Sequence, residues 1–102
     1  MYCTYILYSA LANRYYIGQT ADMRQRLVFH RAGMTASTRH ASDWRLVFVE
    51  QHETQHSAMA MERRIKRAKS RKTIERYIRD PRNCVQDFEC RIQPGSVPTS
   101  AA

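Results

Sequence analysis

The sequence is short of most residues that mark secreted or membrane-spanning chains. Its three cysteines, Cys3, Cys84 and Cys90, are odd in number and match neither a disulfide framework nor a paired zinc ligand set. No window approaches the roughly 20 apolar residues of a membrane span. The opening MYCTYILYSA has neither the basic leader nor the apolar length of a signal peptide, so the expected compartment is the cytosol. Acids are scarce as well: 9 Asp and Glu stand against 17 Lys and Arg, for a net charge of +8 and a pI near 9.9. That imbalance favours polyanionic partners, nucleic acid first and a membrane surface second.

What is present suits one small core. Area scaling gives roughly 6,000 Å² exposed when folded against roughly 17,000 Å² unfolded, so a chain of this size can fold without metal or disulfide staples. Residues 1–80 are expected to form the domain and 81–102 a partly disordered extension, with PGSVPTSAA from Pro94 having the composition of a tail. Tyr2 to Tyr8 is aromatic and β-branched, Ser9 to Asn13 permits a turn, and Arg14 to Ile17 forms a second strand closed by Gly18. Thr20 or Asp22 can cap a helix through about Ala32, with Gly33 as its stop. After a polar loop from Thr35 to Asp43, Trp44 to Glu50 reads as a third strand. Thr54 then caps a long helix with apolar positions Ala58, Met61, Ile65 and Ala68, and Ser70 caps a shorter one carrying Ile74, Tyr77 and Ile78. The expected fold is α+β, a three-stranded antiparallel sheet flanked by helices in the order β-β-α-β-α-α.

Arg63, Arg64, Lys66, Arg67, Lys69, Arg71 and Lys72 crowd ten residues with no acid among them. A solvated helix face is the ordinary reading of such a run. Like charges repel, so the run also fits a surface facing phosphate, which Arg24, Arg26 and Arg31 on the first helix would extend. Glu62, beside the buried stripe of the long helix, is either an ion-pair partner of Arg63, Lys66 or another base, or a ligand for a hard divalent cation. Five tyrosines, Tyr2, Tyr5, Tyr8, Tyr15 and Tyr16, lie in the hairpin, where composition alone does not separate packing from function.

The spacing of these residues resembles the GIY-YIG nuclease superfamily. Tyr16-Ile17-Gly18 matches the second half of the signature, Tyr5 stands eleven residues before Tyr16, Arg26 eight after Gly18 and His30 four further on. The stretches TYILYSALANRYYIGQTADMRQRLVFH and AMAMERRIKRAKSRKTIERYI are similar to short stand-alone bacterial members, covering roughly residues 2 to 79. Glu62 falls where the family keeps its metal-binding glutamate. The first tripeptide reads Cys3-Thr4-Tyr5, so only its tyrosine matches, and Asn83 is the one asparagine near the place after the last helix where many members carry one.

The resemblance implies hydrolysis of nucleic-acid phosphodiesters, DNA before RNA, in a repair or recombination setting. Within it, Tyr16 would be the general base, Arg26 the phosphate clamp and Tyr5 a hydrogen-bond donor to water or phosphate, with His30 as a further donor to phosphate. Glu62 would hold one Mg²⁺ or Mn²⁺, Gly18 would shape the turn, and Arg24, Arg31, Arg63, Lys66, Arg67, Lys69, Arg71 and Lys72 would face the nucleic acid. Neither a membrane nor a small-molecule cofactor is expected. The rival reading is a basic module that keeps the fold and grips nucleic acid without cutting it. Charge alone also fits a surface for an acidic partner or ribosomal RNA.

Overall fold

A computed structural model describes residues 1–86; the expected tail from Pro94 and Cys90 lie outside the described residues. Three strands, β1 (Tyr2–Ser9), β2 (Arg14–Thr20) and β3 (Arg45–His52), form an antiparallel sheet in the order β2-β1-β3. Helices α1 (Met23–Arg31), α2 (Gln55–Ala68) and α3 (Arg71–Arg79) complete the expected order, with one 3-10 turn at Ala36–Thr38. No helix among the described residues is long and apolar enough to cross a membrane.

Because β1 is central, both of its faces are buried. Cys3, Tyr5 and Leu7 join Met23 and Leu27 of α1, Trp44, Leu46 and Val49 in one cluster. Ile6 joins Ile17, Phe48 and Ile65 of α2 in the other, with Ile74, Tyr77 and Ile78 of α3 packed against it. The alternation of strand side chains produces this division. Thr4, fully buried on the second face, has its hydroxyl satisfied by the Ala58 carbonyl at 2.8 Å. Val47 bulges out of register between Phe48, opposite Ile6, and Leu46, opposite Leu7.

The helix starts follow their caps. Asp22, Thr54 and Ser70 accept hydrogen bonds from the backbone N–H groups of Gln25, Ser57 and Thr73. Gly33, at φ 75, stands just past the end of α1, and Lys69 takes a left-handed φ of 48 between α2 and α3.

Three local expectations are corrected. β2 continues past Gly18 to Thr20, because its ladder with β1 runs on to Cys3. Trp44 lies before β3 rather than in it, buried, with its indole N–H donating to the Thr38 carbonyl at 2.8 Å. Ala68 is exposed, since α2 ends there and the chain turns at Lys69. The polar loop also contains a fully buried residue, Thr38.

Beyond α3 the chain returns to the sheet. Asn83 accepts from the Val49 N–H through Oδ1 and donates from Nδ2 to the carbonyls of Val47 and Ile78. The Cys84 N–H donates to the Val49 carbonyl, extending the contact along the outer edge of β3.

Candidate active site

The register of the hairpin places Gly18 opposite Tyr5 and Tyr16 opposite Leu7, all on the face covered by α1. A Cβ on Gly18 would stand 2.7 Å from the Tyr5 hydroxyl oxygen, 2.8 Å from its ring and 3.1 Å from the Tyr16 ring. The glycine is therefore a matter of space: two aromatic rings cross the strand where a side chain would be.

Arg26 and His30 lie four residues apart on α1, so one helix face brings both toward these rings. The Tyr5 hydroxyl is 2.8 Å from His30 Nε2, and His30 Nδ1 is 2.8 Å from the Thr38 hydroxyl. The Tyr16 and His30 ring centroids are 4.9 Å apart, and those of Tyr5 and Tyr16 6.2 Å. Burial, aided by the charge of Arg26, lowers His30 to about 4, so the imidazole is neutral at physiological pH. Thr38 donates to the Thr35 carbonyl, which leaves its oxygen to accept from His30 Nδ1–H and assigns Nε2 as acceptor of the Tyr5 proton.

Electrostatics ties Arg26 to the tyrosines. Burial raises the Tyr5 phenol well above its ordinary value against the opposing hydrogen bond from Arg26, with Tyr16 and Glu62 adding to the rise. Tyr5 therefore stays protonated. Arg26 is raised in turn, first by its hydrogen bond with Tyr5, and Tyr16 contributes as well. Its Nε is buried with no hydrogen-bond partner among the described residues. A buried guanidinium N–H left in that state is costly, and an anion at this edge of the sheet would relieve it.

The structure thus draws Tyr5, Tyr16, Arg26 and His30 into one cluster. His30 and Tyr5 are fully buried, with both ring nitrogens and the phenol engaged inside the protein. Tyr16 is only partly buried. Glu62 acts on Tyr5 electrostatically, and its Oε2 accepts from Lys66 Nζ at 2.7 Å, the ion pair being one turn long on α2. Among the described residues no three His, Cys, Asp or Glu side chains gather as a metal-binding group. A single carboxylate still fits Mg²⁺ or Mn²⁺, cations that retain several waters and take further oxygens from phosphate.

The expected nucleic-acid residues divide by environment. Arg24, Arg63, Lys66, Arg67, Lys69, Arg71 and Lys72 are exposed. Arg31 is partly buried and its Nε donates to the Trp44 carbonyl at 2.9 Å, bracing α1 against the chain entering β3. Arg71 donates to the carbonyl and side-chain oxygens of Asn13, each at 3.0 Å. One residue of structural weight went unread, and another serves a different part of the fold. Thr38 gives no local signal, being a threonine in a polar loop, and Asn83 serves the β3 edge rather than the tyrosine cluster.

A small α+β domain with two tyrosines, an arginine and a histidine meeting where a hairpin packs on its first helix defines a class by its geometry. The chain matches the GIY-YIG catalytic domain over residues 1–77 and belongs to that family, a nuclease family acting on nucleic acid. It is similar to a UPF0213 protein of Streptococcus pneumoniae serotype 4 (strain ATCC BAA-334 / TIGR4), 36% identical over 78 residues that cover 74% of this chain and 78% of the relative. UPF0213 protein spr1390 of Streptococcus pneumoniae (strain ATCC BAA-255 / R6) matches with the same identity and coverage. No solved structure matches the chain significantly.

Proposed function

We propose that the chain is an endonuclease that hydrolyses phosphodiester bonds, of DNA before RNA, with one Mg²⁺ or Mn²⁺ held by Glu62. The observation that carries this reading is the gathering of Tyr16, Tyr5, His30 and the partly unpartnered Arg26 at one edge of the sheet. Arg26 binds the scissile phosphate through its forked donors and offsets charge that builds on the phosphorus oxygens. Tyr16 takes the proton of the attacking water.

Tyr5 and His30 are positioning residues. The neutral imidazole holds the Tyr5 proton, which turns the Tyr5 oxygen toward Arg26 as an acceptor and fixes the guanidinium. A divalent cation, when bound, would supply Lewis-acid neutralisation of the phosphate. A repair or recombination setting and a cytoplasmic location fit this activity.

One observation favours the rival reading, a nucleic-acid binder that does not cut: Glu62 is paired with Lys66. Glu62→Ala separates the two. As an endonuclease the variant should lose at least ~10² in single-turnover cleavage, about 3 kcal/mol of transition-state stabilisation, while filter-binding affinity without metal persists. Undiminished cleavage at equal folded fraction would remove Glu62 from the chemistry.

A further inference from the structure

On the sheet face opposite Tyr5, the hairpin turn and the junction of α2 with α3 border an open groove of about 590 Å³. Ile17, Ile65 and Ile74 contribute its apolar surface, while Arg14, Lys66, Lys69 and Arg71 bring four cations to it; no acidic residue is among those described as lining it. One wall is fixed in advance. Arg71 is anchored on Asn13, whose left-handed φ of 54 presents the hairpin turn, and its guanidinium lies 5.1 Å over the Tyr15 ring. Lys66 is shared: it lines this groove, yet its Nζ sits 2.7 Å from Glu62 Oε2.

Resting on the nuclease reading above, we propose that the groove takes phosphates of a nucleic-acid strand and that strand entry draws Lys66 off Glu62, so that the carboxylate is offered to a divalent cation only once nucleic acid is bound. Charge selects the occupant. Four cations bordering a groove without acids repel one another, and a polyanion removes that repulsion. Lys66 is the movable member because its side chain is about half exposed, on a flexible stem, and an exposed ion pair is weakly held. While it stays on Glu62, an incoming dication must displace an ammonium and meet its repulsion. Moving it to phosphate removes both obstacles together. The coupling is reciprocal, so the cation should also tighten nucleic-acid binding. Its size should be that of an exposed ion pair, about fivefold in affinity.

The test follows free Mn²⁺ by electron paramagnetic resonance with the full chain, alone or with a short single-stranded DNA. A matched strand with uncharged methylphosphonate linkages isolates the part played by phosphate. Wild type should bind Mn²⁺ about fivefold more tightly with the charged strand and no more tightly with the uncharged one. Lys66→Met should bind at the tighter level without any strand and gain nothing further. Lys69→Met removes the same charge from the same groove and should leave strand-free Mn²⁺ affinity as in wild type. Equal tightening in both lysine variants would overturn the exchange of Lys66 while leaving the nuclease reading in place. Full strand-dependent Mn²⁺ uptake in Glu62→Gln, beyond that of DNA alone, would overturn the assignment of the carboxylate and the exchange with it.

Discussion

The two faces of β1 are buried alike and filled by opposite means. On one, Tyr5, His30 and Thr38 run as a hydrogen-bonded chain into the protein, with Arg26 at its outer end. On the other, Ile6, Ile17, Phe48 and Ile65 pack as hydrocarbon, and the fully buried Thr4 is satisfied by one carbonyl. Hydrocarbon exchanged for other apolar side chains of like volume can repack with modest loss, whereas a buried polar chain with one member missing leaves its neighbours unpaired. The difference assigns tasks: the polar face holds side chains at fixed positions, and the apolar face supplies cohesion and carries the basic helices on its back.

The contrast breaks most severely on the hydrocarbon side. Phe48 is buried and meets Tyr77 edge-on at 6.0 Å, so Phe48→Ala should cost about 3–5 kcal/mol in urea unfolding yet leave cleavage per folded molecule as in wild type. A matching fall in activity would mean that the two faces are not separable. On the polar side, acid should find His30. Its folded pKa of about 4 lies below the ordinary 6.5, so between those values the unfolded chain binds a proton that the folded chain does not. Stability should therefore decline as pH falls through that window, by about 3 kcal/mol in all. His30→Gln should lack this increment when unfolding midpoints at neutral and acid pH are compared.

Gly18→Ala sharpens the comparison, because the added methyl meets Tyr5 on one side of the strand and nothing aliphatic need yield. It should cost about 1–3 kcal/mol and displace the Tyr5 ring, seen as changed ring shifts of Tyr5 and Tyr16 by NMR. Smallest is Thr38→Val, which strands His30 Nδ1–H for about 1–2 kcal/mol; ¹⁵N shifts of the ring should report the altered tautomer, and Thr38→Ser should restore it.

Much of the fold was legible because its signals are local. Asp22, Thr54 and Ser70 stand before periodic apolar residues and cap the three helices, and Gly33 ends the first. The meeting of Tyr5, Tyr16, Arg26 and His30 was legible through strand and helix periodicity together with the family spacing. What was not legible depends on partners far along the chain. Nothing near Thr38 announces a histidine beneath it, and nothing near Arg71 announces Asn13. The complete burial of His30 is a property of layers that no helical wheel of α1 contains.

The Asn83 amide has a consequence for the company the protein keeps with itself. In a three-stranded sheet β3 is an outer strand, and its free N–H and C=O groups are a template on which another chain can polymerise. Asn83 and Cys84 occupy that template at Val47 and Val49, and the same amide closes the Ile78 carbonyl at the end of α3. One side chain thereby ends a helix and blunts a sheet, guarding a small, highly charged domain against edge-to-edge aggregation.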